Sequence, residues 1–348
     1  MRETSRSPTI LCARVARLAA LAAATIGLAL PAEAAFLQTN LVSSIPGLAT
    51  ITDPLLINPW GISRSPTSPF WVSNQGTNTS TLYAVTGKTN VSAVTAVNAH
   101  GFVGIPTTAA GPQGPTGQVN NINTASFQLT PGTASTSSRF LFADLNGQIS
   151  GWAGGLSSTA LVTTPGAVYT GLAINAAGTR FYAANDAGGG SINVFDSSFA
   201  SVSLTGAFVD PNLPAGFVPF GIQDLGGKVC VTYAPAGFGE FGGDLLVGNF
   251  SFATSAINAF DAVTGALKGS IGIDVGAGNT AGGLWGFMFG SGAGNGGDAN
   301  TLYFLDGING ETAGLFAAIT PVPEPETLPL IGLGLVALGW AKRRKSAA

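Results

Sequence analysis

The chain has one histidine, His100, and two cysteines, Cys12 and Cys230, so the side chains that most often carry nucleophilic or zinc chemistry are scarce. A Ser-His-Asp or Cys-His arrangement would have to use His100, which stands in the polar stretch Asn98-Ala99-His100-Gly101 and reads as a loop residue. Cys230 alternates with Val229 and Val231 in a strand-like run and reads as a buried structural thiol. The triplet Gly188-Gly189-Gly190 precedes the strand-like Ser191 to Phe195 rather than a helix, so it lacks the helix N-terminus of a phosphate cradle and reads as a hairpin turn. What remains is a set of carboxylates and amides that end short apolar runs: Asn74, Asp144, Asn185, Asp186, Asn249 and Asp306. Oxygen ligands of this kind suit Ca²⁺ where several converge, and Asn74, Asn185, Asp186, Asn249 and Asp306 are the candidate metal ligands. Asn and Asp also end strands because they tolerate left-handed backbone and cap turns, and that reading is the one preferred. No other cofactor is expected, and the chain reads as a non-enzyme rather than an enzyme.

The elements that must position these residues are framed by two atypical ends. Residues Met1 to Arg17 carry four arginines, Leu18 to Leu30 is an apolar run, and Pro31-Ala32-Glu33-Ala34-Ala35 follows with small residues. That order is a secretory signal peptide over 1–34, cut between Ala34 and Ala35. At the other end, a Pro/Glu linker over 321–327 leads into an apolar segment over 328–341 and a basic tail over 342–348. The apolar segment reads as a short transmembrane helix in the inner membrane, with Lys342, Arg343, Arg344 and Lys345 kept cytoplasmic as a membrane stop. With barely enough apolar residues to span, it suits a transient stay.

Eight of the 14 basic residues fall in these two ends, so the middle keeps six against 13 acids. A basic groove for nucleic acid cannot be built from that, and no nucleic-acid partner is expected. Both cysteines cannot lie in the exported part, so no internal disulfide holds it. The high content of Gly, 50 residues, and Pro, 20 residues, is offset by 45% hydrophobic residues and 21 Phe, which argues for a packed fold over 35–320.

That middle part breaks at Gly, Pro, Asn or Asp between short aromatic or β-branched runs such as Phe70-Trp71-Val72, Phe140-Leu141-Phe142-Ala143, Arg180-Phe181-Tyr182-Ala183 and Leu245-Leu246-Val247. An all-β fold follows. A pattern recurs: a glycine-marked strand, an apolar strand ending in Asn or Asp, then a strand of the type Ile/Leu-x-x-Phe/Tyr. Trp60-Gly61-Ile62, Thr170-Gly171-Leu172 and Trp285-Gly286-Phe287 supply the glycine-marked strands. The repeat length matches a four-stranded propeller blade and gives five or six blades, with a β-solenoid or sandwich as the rival. Asn40 to Ile45 is left over before the first copy and is expected to complete the last blade from the N-terminal side.

Pro323-Glu324-Pro325, a Leu/Gly-rich segment and a terminal Arg/Lys cluster, in that order, resemble the PEP-CTERM sorting signal. The resemblance implies recognition by an exosortase-type processing enzyme of Gram-negative bacteria and passage, from a membrane-anchored precursor, to the cell surface or extracellular matrix. Strings such as Asn58-Pro59-Trp60-Gly61-Ile62, Phe70-Trp71-Val72-Ser73-Asn74, Gly243 to Phe250, Ile257 to Asp261 and Gly296 to Phe304 resemble an exported bacterial propeller family, distantly similar to NHL-type repeats and without an assigned activity. Against that family the chain lacks about one blade's worth of residues where Lys228 to Ala234 runs directly into Pro235, so five blades or an imperfectly closed ring is implied. The expected role is an interaction or structural module at the surface or in the matrix, with extracellular polysaccharide as partner. The alternative is a Ca²⁺-dependent hydrolase similar to lactonase-type propellers, built on the Asn/Asp set above.

Overall fold

The second strands of the repeat, such as Phe70–Asn74, Phe140–Ala143 and Leu302–Asp306, are buried throughout, while outer strands such as Asn90–Ala93 and Thr159–Thr163 are largely exposed. The computed structural model describes residues 36–94, 101–108, 113–204, 208, 218–222 and 232–322. The expected signal peptide over 1–34, Ala34, Ala35, His100, Cys230, Pro323-Glu324-Pro325, the apolar segment and Lys342 to Lys345 lie outside the described residues. Among the described residues no helix is long and apolar enough to cross a membrane.

In chain order the strands are β1 (Phe36–Ser43), β2 (Ile51–Thr52), β3 (Pro59–Ser63), β4 (Phe70–Asn74), β5 (Thr79–Thr86), β6 (Asn90–Ala93), β7 (Phe102–Gly104), β8 (Gln118–Asn120), β9 (Phe140–Ala143), β10 (Gln148–Trp152) and β11 (Thr159–Thr163). They continue with β12 (Tyr169–Ile174), β13 (Arg180–Asn185), β14 (Ser191–Asp196), β15 (Thr232–Tyr233), β16 (Leu245–Asn249), β17 (Ala256–Phe260), β18 (Leu267–Gly272), β19 (Leu284–Phe289), β20 (Leu302–Asp306) and β21 (Leu315–Pro321). They form five sheets of consecutive strands: β3 to β6, β8 to β11, β12 to β14, β15 to β18, and β19 to β21 completed by β1 and β2. This is a five-bladed β-propeller. β7 adds to the first blade through β5, and Ser201 extends the third by a bridge to Phe195. Of the five or six blades expected, five form, and Thr232 and Tyr233 of the string before the missing segment supply the first strand of the fourth. A solenoid or sandwich is excluded by this topology.

Closure is a strand exchange of the ends. β1 lies antiparallel to β21 from Phe36 opposite Pro321 to Ser43 opposite Leu315. The expected completion from the N-terminal side is therefore real, and it begins at Phe36, earlier than Asn40.

Side-chain alternation along the second strands distributes the core. In β4, Phe70 and Val72 point to the cluster shared with the fifth blade, including Tyr83, Tyr303 and Phe316, while Trp71 points to the cluster shared with the second, with Phe140, Phe142 and Trp152. In β20, Tyr303 and Leu305 face the first blade, and Leu302 and Phe304 face the fourth. Leu141 of β9 faces Tyr169 and Phe181 of the third blade. A strand buried on both faces reads as an unbroken apolar run, which is why these segments stand out in the sequence. Each such side chain contributes about 1.5–3 kcal/mol on burial. Among the described residues, clusters join every pair of adjacent blades except the third and fourth.

Candidate binding face at the end of the first strands

Antiparallel pairing fixes which residues share a face. Pro59 pairs with Asn74, Tyr169 with Asn185 and Leu284 with Asp306, so the start of each first strand meets the end of the second. The glycine in each first strand sits against the next blade's backbone. A Cβ on Gly286 would meet Trp60 O, one on Gly61 would collide with Thr116 O, one on Gly117 with Leu172 N, and one on Gly171 with Phe220 O. These contacts link the first strands around the ring axis.

The residues just before four of these glycines, Trp60, Thr116, Thr170 and Trp285, are consequently presented at the mouth of the ring, where Phe220, from the connection between the third and fourth blades, joins them. The threonines tie blades together, with Thr116 Oγ1 donating to Tyr169 O (2.6 Å) and Thr170 Oγ1 donating to Phe220 O (2.7 Å). The aromatic residues stack instead. Trp60 and Trp285 lie 3.8 Å apart between ring centroids at 18°, and Phe220 stacks at 5.8 Å from each. Phe250, one residue past β16, packs 4.5 Å from Trp285, and Phe252 packs edge-on at 4.9 Å from Phe250. Gly283 leaves the room for Phe250, since a Cβ there would strike that ring. Phe220, Phe250 and Phe252 remain 40%, 44% and 57% exposed.

Asn58 holds this row in place. Buried, with φ +45°, it accepts from Trp285 Nε1 (2.8 Å) through Oδ1 and donates through Nδ2 to Gln75 Oε1 (3.0 Å) and Glu311 Oε2 (3.3 Å). An indole N–H can only donate, so this contact also sets the amide's orientation. Glu311 (φ +68°) and Asn309 (φ +56°) share the β20–β21 connection, which places three non-glycine left-handed residues close together. Strain of this kind, about 1–3 kcal/mol per residue, persists where surrounding contacts over-determine the backbone.

The strand-end residues expected to hold a metal occupy the matching ends of their blades, with separate environments. Asn185 Oδ1 accepts from the Val168 and Ala187 amides, and its Nδ2 donates to Ser191 Oγ (3.3 Å), so it serves its own turn. Asp186 follows it at the start of that turn with no side-chain capping bond, and Asn249 is exposed. Asp144 is also committed locally, accepting from the Asn146 and Gln148 amides. Asn74 donates to Thr79 Oγ1 and Thr81 Oγ1, while its buried Oδ1 has no partner among the described residues. Asp306 accepts from the Gly282 amide (3.4 Å), and its buried Oδ2 likewise has no partner among the described residues. Among the described residues no three His, Cys, Asp or Glu side chains gather as a metal-ligand group.

Asp144 and Asp306 are held above the ordinary 3.8, and Glu311 above 4.5, in each case chiefly because burial disfavours the charged form. In the interval just above those ordinary values the folded chain keeps protons that the unfolded chain has lost, so stability falls as pH rises through it. Asp196 and Asp261 lie below 3.8, held by hydrogen bonds led by Ser198 and Thr264, and the stability they add is lost only as pH drops below 3.8. The thermal midpoint is thus expected to rise as the pH is lowered into the interval just above the ordinary carboxylate values and to fall below it. A midpoint that declines steadily from pH 7 downward in calorimetry would contradict these assignments.

The sequence reading found Trp60, Thr170 and Trp285 and overlooked Thr116-Gly117 as well as Phe220-Gly221 of the connection between the third and fourth blades. The shared signal was the aromatic or threonine residue directly before each glycine, a one-position repeat visible once all five are aligned. Asn58 gave no local signal, because its side-chain partners Gln75 and Glu311 lie 17 and 253 positions away.

Residues 321–345 match the model of the PEP-CTERM protein-sorting motif. The chain carries a PEP-CTERM sorting motif. The motif implies an exported protein, sorted toward the cell surface and processed by an exosortase-type enzyme. Its first residue, Pro321, is the last residue of β21, so the motif begins where the propeller ends. An uncharacterized protein of Acanthamoeba polyphaga mimivirus is 32% identical over 205 residues, covering 56% of this chain. The chain spans about half the length of that relative, 48%. Among solved structures, hydrazine synthase of Kuenenia stuttgartiensis aligns with TM-score 0.30 and 15% identity over 75% of this chain and 58% of its own. A Bacteroides fragilis protein proposed to be a 6-phosphogluconolactonase aligns with TM-score 0.30 and 14% identity over 61% and 55%.

Proposed function

We propose that this chain is a non-enzymatic propeller of the cell surface or extracellular matrix, an interaction or structural module whose partner is extracellular polysaccharide. In this reading an N-terminal signal peptide starts export, the apolar segment over 328–341 holds a precursor in the inner membrane, and processing near Pro323-Glu324-Pro325 ends the anchoring. The observation that carries it is the position of the sorting motif: β21 closes the fold with β1 and ends at Pro321, so a cut just beyond would release a complete propeller. The composition supports the non-enzymatic part, with one histidine and few charges available for acid–base work. Replacing Pro323, Glu324 and Pro325 by alanine is expected to trap the full-length chain in the membrane fraction while the unaltered chain reaches the surface. Equal surface delivery of both would overturn the reading.

A second reading, a Ca²⁺-dependent hydrolase, is favoured by Asn74 Oδ1 and Asp306 Oδ2, which among the candidate ligands are buried without a partner among the described residues. Ca²⁺ takes six to eight oxygens, so either one would need further ligands from carbonyls and water. A ligand that binds the folded chain alone raises its thermal midpoint. Unchanged melting with CaCl₂ or EDTA, together with no hydrolysis of a panel of lactones, would remove this alternative.

A further inference from the structure

The exposed rings at the mouth of the ring form a built surface. Phe252, Phe250, Trp285 and Phe220 touch in sequence, three of the four are at least 40% exposed, and Trp285 is oriented by its bond to Asn58. Large aromatic side chains left in water and fixed in place mark a binding surface rather than core. The polar groups beside them are the amides of Gln75 and Asn249, with the half-buried Glu311 bonded to Asn58 beneath. Sugar rings combine an apolar C–H face that stacks on aromatic rings with hydroxyls that bond amides. An anionic polymer would require basic residues, and among the described residues the face is built from rings and amides with a carboxyl at its base.

We propose that Phe220, Phe250, Phe252 and Trp285 form a stacking platform for an uncharged polysaccharide chain lying across the mouth of the propeller. The proposal rests on the polysaccharide reading above and adds the site and the class of polymer. Because Trp285 contacts Phe250, a sugar seated there should also change its fluorescence.

The test is affinity electrophoresis of the protein as recovered from its producing cells, through gels holding amylose, dextran, a soluble cellulose ether, alginate, or matrix polysaccharide extracted from those cells. Retardation on at least one uncharged polymer or on the matrix extract is expected, with a tryptophan emission shift. Phe250→Ala and Phe252→Ala should each weaken retardation by about two- to tenfold, and the double variant by about tenfold or more. Both side chains are exposed, so the melting midpoint should hold and separate lost binding from lost fold. Retardation unchanged in the double variant overturns the platform while leaving polysaccharide as the partner. Retardation by alginate alone, abolished by salt, overturns an uncharged ligand. No retardation on any polymer, the matrix extract included, overturns the polysaccharide reading itself.

Discussion

Deleting Phe36–Ser43 from the full chain is expected to abolish the cooperative thermal transition of the propeller. That strand pairs with β21 along its length, and Ser43 Oγ donates to Gly314 O (2.8 Å). Leu41 and Val42, both fully buried, pack with Phe70, Tyr83 and Phe316 in the cluster that joins the fifth and first blades. Phe36 sits 4.9 Å from Phe238 and 5.3 Å from Phe241, so the same strand also secures the fourth blade. Truncating one buried leucine to alanine costs about 2–5 kcal/mol, against a whole-domain stability of about 5–15 kcal/mol. Losing two buried aliphatic side chains, a ring and a full ladder of hydrogen bonds exceeds what the remainder can offset. Circular dichroism melts and limited proteolysis should show a broad transition and rapid cleavage, whereas Leu41→Ala should keep a sharp transition at a lower midpoint. A deletion variant that melts sharply at the original temperature would contradict closure by β1.

The second large effect is expected at Gly117. A Cβ there would collide with Leu172 N and Gly171 C, backbone atoms of the next blade that no side-chain rotation can move aside. Gly117→Ala is expected to lose about 1–3 kcal/mol, and Gly117→Val more, because the two blades must separate. Gly221 follows Phe220 as Gly117 follows Thr116, yet no described atom lies within 4 Å of a Cβ built there. Gly221→Ala is therefore expected to leave the chemical-denaturation midpoint almost unchanged. Equal losses at both positions would show that the glycines are required for some reason other than close approach.

The contrast between these two glycines shows where the sequence is informative. Phe70-Trp71-Val72, Phe140 to Ala143 and Leu302 to Asp306 were legible as strands because burial on both faces removes polar residues from the run. The closing strand was legible by elimination, since a propeller needs one more strand than its last blade encodes. The blade number was not, because Thr232 and Tyr233 do the work of a first strand without the glycine that marks the others. Asn74 and Asp306 were picked as strand ends for the general reason that Asn and Asp end strands. That one oxygen of each is buried without a partner depends on packing around them, which no local pattern encodes. The aromatic row was also hidden, since Trp60, Phe250 and Trp285 come from the first, fourth and fifth blades and Phe220 from the connection before the fourth, and they meet only because the ring closes.

The most direct test of the account is the intact mass of the protein found at the cell surface, compared with the form held in the membrane. The account expects a surface form that begins near Ala35 and ends at or near Pro323-Glu324-Pro325, retaining the whole of Phe36 to Pro321. A surface form with the full 348-residue mass, or one cut inside the β1–β21 pair, would contradict it.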